Sequence, residues 1–356
     1  MAVTTGGPAL PASTARRSPP GWPEVASGKA ILREGLLRLP TLPLRHGGCL
    51  GPAVVAWQLV GPAEAPVVAA LGGISAHRVV HDPEEPDRGW WREMVGPGFP
   101  LDTERYCVLG IDYFGGSGAS STPTSGQTDF PIIDAHDQAA AILAVCDQLG
   151  IDKLHAIAGA SYGGMVGLAF AEMTPERVGH LLCISAAHRS NALATGWRSI
   201  QRAIVRHSLT LGDRTGGLML ARALAMTTYR TRAELERRFP VAASLESGRA
   251  VFDVERYLLS RGEEYVRQYR PEGFLCLSES IDLQSVDAAR IRVPVTLVAI
   301  AKDQLVTRDD VRELASKLGG PVTLHELKSE YGHDAFLKER DLLAPAFRAA
   351  LDGVDP

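Results

Sequence analysis

No stretch of the 356 residues approaches the roughly 18 consecutive apolar positions that suggest a transmembrane helix. Basic charge is not in excess either. With 37 Lys and Arg against 41 Asp and Glu, the formal net charge is -4, which argues against a general polyanion binder and so against nucleic acid as a partner. Cysteine is sparse and scattered: Cys49, Cys107, Cys146, Cys183 and Cys276 form no CxxC pair, and an odd count makes a poor disulfide framework. Cys107 and Cys183 sit in apolar, strand-like runs, where cysteine serves as a small buried hydrophobe. A reduced cytoplasmic setting is therefore expected. Arg16-Arg17 is followed by Ser-Pro-Pro-Gly-Trp-Pro and no apolar segment, so a twin-arginine export signal is not read. His77 and His81 are four apart, but Gly72-Gly73 and Pro83 make this a loop rather than one helix face, and no metal site is expected.

What is present is an ordinary soluble composition, 45% hydrophobic and 22% charged. Residues 1–28 are rich in Pro, Gly, Ser and Thr and are expected to form a flexible tail. Beyond them, short apolar runs alternate with helical patterns, which suggests a mainly parallel sheet covered by helices. Strands are predicted at 67–71, 106–112, 154–158, 180–185 and 293–300. Helices are predicted at 134–149, closed by Gly150, at 162–173 and at 311–318. From 189 to 286 helical segments dominate, among them 197–207, 218–226 and 251–261. The economical division is a core of residues 29–188 and 287–356 interrupted by a helical lid at 189–286. Such an insertion would lie over the sheet's C-terminal edge, where ligands bind in open α/β sheets.

Gly159-Ala160-Ser161-Tyr162-Gly163 falls between a predicted strand and a predicted helix. That context gives the pentapeptide a mechanical meaning: a strained turn lifts the serine hydroxyl above the sheet, as in the α/β-hydrolase fold. Without it, the segment would be a glycine-rich turn with a capping serine. A serine needs a base, and in this fold the order is Ser, acid, His. Asp303 follows the 293–300 strand and His333 lies in Tyr331-Gly332-His333-Asp334. His333 is the expected base and Asp303 the residue that orients it. Asp309 and Asp310 compete with Asp303 but are better explained as helix-capping groups. His155 reads as a core or sheet-face residue, and His180, His188, His207 and His325 lack a following acid at the right place. The oxyanion hole is expected from the backbone N–H of Tyr162 together with that of Gly73 or Ile74.

With these residues placed, the chain resembles the MetX-type homoserine O-acyltransferases over roughly residues 45–345. Trp90-Trp91, Gly96-Pro97-Gly98 and Asp102-Thr103 look like an early block of that family, and Phe130-Pro131, Asp134 and Asp137-Gln138 like the block before the nucleophile. Ser161-Tyr162-Gly163-Gly164-Met165 is similar to its usual Ser-Met-Gly-Gly-Met, Ala221-Arg222 with Tyr229 to a lid motif, and 332–337 to its histidine block. Tyr162 in place of methionine, the loop 113–122 and a short lid are departures.

The resemblance implies an acyl group moved from acetyl-CoA or succinyl-CoA to the hydroxyl of L-homoserine through an acyl-serine, with no permanently bound cofactor. It implies that Arg222, which spacing alone would leave as a surface arginine, pairs with the amino acid's carboxylate, with Tyr229 beside it and Asp334 meeting the ammonium group. Arg198, Arg202 and Arg206 recur every four residues and read as a solvated basic face, or as a contact for CoA phosphates. Leu305 and Arg308 leave acetyl and succinyl open, and serine differs from homoserine by one methylene, worth only about 1–3 kcal/mol. A serine esterase of the same fold is the main alternative, since only exclusion of water from the acyl-enzyme separates the two. An intact Ser-Asp-His set argues against a non-catalytic binding protein. The exposed lid offers a surface for a homodimer.

Overall fold

Eight strands form one sheet in the computed structural model, which describes residues 31–127, 129–239 and 241–353. The tail expected at 1–28 lies outside the described residues. The strands are β1 (Ile31–Leu39), β2 (Ala53–Gly61), β3 (Val67–Leu71), β4 (Cys107–Ile111), β5 (Leu154–Ala160), β6 (Val178–Ile184), β7 (Val295–Ile300) and β8 (Val322–Leu327). Their spatial order is β1-β2-β4-β3-β5-β6-β7-β8. β1 and β2 are antiparallel to each other, and β2 is antiparallel to β4. From β4 onward all pairs are parallel. Parallel strands need crossovers, and the helices that make them cover both faces of the sheet. β5 accordingly lacks the polar alternation of a half-exposed strand: Leu154, Ala156, Ile157, Ala158 and Ala160 are all buried.

Helix α1 (Ala135–Leu149) begins at Asp134, whose carboxylate accepts from the N–H of His136 and Asp137 while the Asp137 side chain accepts from the Asp134 N–H. This reciprocal cap satisfies otherwise orphaned donors. Gly150, at φ 69°, ends the helix in the left-handed region, as its position predicts. Helix α2 (Tyr162–Met173) spans the residues predicted for it and is buried on nearly every side, the pattern of a core helix.

One face of the sheet buries Leu71, Leu109, Ile157 and Cys183 against α1 and α2. The other buries Val68, Ala158, Leu182 and Val298 against Trp91 and Phe347. Each fully buried Val, Leu, Ile or Phe side chain among these contributes about 1.5–3 kcal/mol relative to exposure.

Between β6 and β7 the described residues form five α-helices: α3 (Ala192–Thr210), α4 (Gly216–Tyr229), α5 (Arg232–Arg238), α6 (Asp253–Tyr265) and α7 (Pro271–Asp282). A β-bridge between Arg189 and Ser285 closes the neck of this insertion. It has a small core of its own, in which Val205, Leu218, Ala221, Tyr265 and Phe274 meet. After β7 come α8 (Arg308–Lys317), α9 (Ala335–Lys338) and α10 (Arg340–Leu351). Among the described residues no helix is long and apolar enough to cross a membrane.

Candidate active site

Ser161 occupies the turn between β5 and α2 with φ 54° and ψ -121°, a backbone conformation that non-glycine residues seldom adopt. The turn is held by close packing. A Cβ on Gly163 would stand 2.2 Å from the carbonyl oxygen of Leu71, so only glycine lets α2 start this near the end of β3. The hydroxyl that results is not withdrawn into the core: Ser161 lines a cavity of about 230 Å³.

His333 reaches that hydroxyl from a loop after β8. Its Nε2 lies 2.8 Å from Ser161 Oγ and its Nδ1 lies 2.7 Å from Asp303 Oδ2. The carboxylate of Asp303 is itself fixed, because Oδ1 accepts from the N–H groups of Leu305 and Val306 at 2.9 and 3.1 Å. With Nδ1–H donating to Asp303, Nε2 is free to accept from the serine. Burial alone would lower the pKa of His333; the charge and hydrogen bond of Asp303 outweigh it and raise the pKa above the ordinary value. Gly332, at φ 57°, turns the chain into His333 against the carbonyl of Tyr229 at the end of α4. Trp91 also supports the loop: its buried indole N–H donates to the Phe336 carbonyl at 2.8 Å.

Gly73 and Ile74 line the same cavity as Ser161. Tyr162 opens α2, so its N–H is among those that have no acceptor within the helix. Its side chain is different. It does not line the cavity but points into the core, where its ring packs edge to face on Tyr113.

Arg222, Tyr229 and Asp334 also line the cavity. The guanidinium of Arg222 sits over the rings of Tyr265 and Tyr229, 4.8 and 5.3 Å from their centroids. No carboxylate of the described residues lies within ion-pair distance of it, although the charge of Asp334 acts on it. It is not the surface arginine that spacing alone suggested. Tyr229 is tilted against the His333 ring at 5.9 Å. Asp334 Oδ2 lies 3.1 Å from Arg230, while no hydrogen bond within the described residues engages Oδ1. Burial raises the pKa of Asp334, with Arg230 and His333 opposing it.

The basic stripe needs correcting. Arg206 is exposed, but Arg198 and Arg202 are not on a solvated face. Both converge on Asp282 of α7, at 2.7 and 2.6 Å, and Arg202 also donates to the carbonyl and hydroxyl oxygens of Ser278. The periodicity showed which residues share a side of α3; it carried no sign of the acid on α7. Arg198 lines the cavity as well. Sequence reasoning missed Asp282, and it missed Arg230, which stands between Asp334 and Glu234. The one available signal for Arg230 was its place beside Tyr229.

The remaining candidates have structural roles. Asp310 completes a capping box with Thr307 at the start of α8. His155 meets the carbonyl of Leu351 and His180 the hydroxyl of Thr296. All five cysteines are free thiols, and burial pushes that of Cys183 up to about 12. Among the described residues no group of three or more His, Cys, Asp or Glu is arranged to hold a metal ion.

Sheet order and the strand–serine–helix turn define an α/β-hydrolase-fold protein, and the family described as alpha/beta hydrolase fold matches residues 71–340. A homoserine O-succinyltransferase of Xanthomonas campestris is 40% identical over 87% of this chain and 82% of its own. A homoserine O-acetyltransferase of Geotalea uraniireducens is 31% identical over 88% and 94%. The crystal structure of homoserine O-acetyltransferase from Bacillus anthracis superposes with a TM-score of 0.81 at 18% identity, covering 90% of this chain and 98% of that one, which shows the shared fold. The chain belongs to the homoserine O-acyltransferases, enzymes that transfer acyl groups on an α/β-hydrolase scaffold.

Proposed function

We propose that the chain carries a succinyl group from succinyl-CoA to the hydroxyl of L-homoserine, by way of an acyl ester on Ser161. The observation that supports the acceptor is Arg222: a cation held over two aromatic rings in the cavity that Ser161 faces, near the charge of Asp334 but with no carboxylate of the described residues within ion-pair distance. A planar guanidinium suits an amino-acid carboxylate. Asp334, with Oδ1 uncommitted on the same cavity wall, suits the ammonium group. Tyr229 packs between Arg222 and the base.

Chemistry then follows from the geometry. His333 takes the proton of Ser161 as Oγ attacks the thioester carbonyl, and Asp303 stabilises the resulting imidazolium. The N–H of Tyr162 and that of Gly73 or Ile74 hold the tetrahedral oxyanion. CoA leaves with the proton from His333, and the succinyl group stays on Ser161. Homoserine next gives its hydroxyl proton to His333 and attacks the ester; His333 returns that proton to Ser161 Oγ as the acyl–Oγ bond breaks, and O-succinyl-homoserine, a precursor for methionine biosynthesis, departs. The cycle is ping-pong.

Arg198, which lines the cavity, shares Asp282 with Arg202 behind it, so the three groups together hold one surplus positive charge. Such a charge favours a donor with a distal carboxylate over acetyl. That favours succinyl-CoA, and the Xanthomonas relative carries the succinyl name. Residues 189–286 act as the lid that keeps water from the acyl-enzyme. The exposed Val241 and Leu245 of the lid offer an apolar face for a homodimer, and the free cysteines suit a reducing cytoplasm.

The test is to assay purified enzyme with acetyl-CoA and succinyl-CoA against homoserine, serine and water. Succinyl-CoA with homoserine should give the highest kcat/KM. If water outcompetes both amino acids, or acetyl-CoA is the better donor, this reading is wrong in acceptor or in donor respectively.

A further inference from the structure

Tyr162 is almost wholly buried, and its phenol oxygen lies 2.6 Å from Oγ of Ser280 on α7. Ser280 is equally inaccessible. On its other side the Tyr162 ring meets Tyr113 with centroids 5.1 Å apart, and the Tyr113 hydroxyl donates to the carbonyl of Gly72 at 2.9 Å. Gly72 immediately precedes Gly73 and Ile74. Buried contacts therefore run without a break from α7, through Tyr162 and Tyr113, to the loop on the far side of the nucleophile. Burial pushes both phenols far above the ordinary tyrosine range, so each stays a neutral hydrogen-bonding group.

Helix α7 has a second attachment. Ser278 and Asp282, four apart and so on one face, hold Arg202, and Asp282 also holds Arg198. Ser280 lies between them in sequence and faces the other way on a helix. The helix is clamped between Arg198 and Arg202 of α3 and the tyrosine that follows the nucleophile.

We propose that Tyr162 is a positioning residue that ties the seating of α7 to the geometry of the oxyanion hole, and so sets the rate at which Ser161 is acylated. This rests on the reading of Ser161 as nucleophile and of the Tyr162 and Gly73 or Ile74 N–H groups as the hole. Donors in such a hole act only when they are aimed at the developing oxyanion. A tilt of α2 or of the Gly72–Ile74 loop moves one donor relative to the other, and the Tyr113–Tyr162–Ser280 contacts resist that tilt. The backbone N–H is supplied by any residue but proline at 162; the coupling to the lid requires this side chain.

Tyr162→Phe keeps the ring and its contact with Tyr113 and removes only the hydroxyl. Ser280→Ala removes the same bond from the lid side. Both, and the double variant, are compared with the parent enzyme in single-turnover release of CoA from succinyl-CoA. Rates are expressed per competent site, counted by fluorophosphonate titration. Each single variant should acylate about tenfold more slowly, because a misaligned oxyanion donor costs rate rather than binding. The double variant should be no slower than either single one, since both remove one bond, and the KM for homoserine should not move. Unchanged rates per competent site in both single variants, even with lower melting temperatures, would show a packing role only and overturn the proposal. Additive losses in the double variant would do the same. Should Tyr162→Phe fail to fold, Ser280→Ala carries the test alone. A CoA burst that survives Ser161→Ala would instead overturn the nucleophile reading, a result separate from any of these.

Discussion

The guanidinium of Arg222 lies 4.8 Å from the ring centroid of Tyr265, inside the cavity that Ser161 faces and with no carboxylate of the described chain against it. The aromatic faces offset part of the cost of holding a cation there. They leave its hydrogen-bonding edge for a ligand. Replacing it by lysine keeps the charge but loses the planar fork. Arg222→Lys should raise the KM for homoserine by about 10–100-fold, the range expected for a charge-assisted hydrogen bond of about 1.5–3 kcal/mol. The burst of CoA release should remain at its parental rate. Steady-state kinetics with varied homoserine checks this, and an unchanged KM would remove Arg222 from the acceptor site.

A different outcome is expected at Arg198. It lines the cavity, and Asp282 only partly balances it because Arg202 draws on the same carboxylate. Arg198→Leu should lower kcat/KM for succinyl-CoA by about 30-fold or more, the loss of a charge-assisted bond to the donor's carboxylate, and should leave acetyl-CoA turnover within a few-fold. Equal losses for the two donors would show that Arg198 only supports the lid. Asp282→Asn, by contrast, leaves two buried arginines without their counter-charge. It should cost about 3–5 kcal/mol of stability, read as a lower denaturation midpoint.

The acid limb of the pH–rate profile reports His333. The base must be neutral to accept the serine proton, and its pKa is raised above the ordinary 6.5 because Asp303 outweighs burial. Activity should therefore fall as pH drops through a value above 6.5. The same shift means that the pair favours folding most below the ordinary value and loses that contribution as pH rises through the raised one. In Asp303→Asn burial acts unopposed by that charge, so the limb should move to lower pH while kcat falls about 10⁴-fold from the wrong tautomer. A limb that stays in place would mean that another group titrates.

Legibility in the sequence divided along a physical line. Features set by local pattern were readable: the 67–71 strand, the α2 span and the Gly150 cap depend on apolar runs and turn residues near them in the chain. The places of Asp303 and His333 were readable because chain order in this fold is fixed, and the structure brings both to Ser161. What depended on partners far apart in sequence was not. β1 has a largely exposed face and was passed over. Nothing near Arg198 and Arg202 in the chain marks Asp282 of α7 as their partner, so their spacing reads as a solvated face or a contact for CoA phosphates. Tyr162 stands out beside the nucleophile as a departure from the usual methionine, yet its partner is 118 residues away.

The central claim is that Ser161 carries the acyl group, and intact-protein mass spectrometry of the quenched reaction tests it most directly. Enzyme mixed with succinyl-CoA and no acceptor should gain one succinyl group, located on the peptide that contains Ser161, with one CoA released per competent site. Adding homoserine should clear the adduct and form O-succinyl-homoserine, and Ser161→Ala should show neither adduct nor burst. Transfer to homoserine with no adduct on Ser161, or a full burst from Ser161→Ala, would contradict the account.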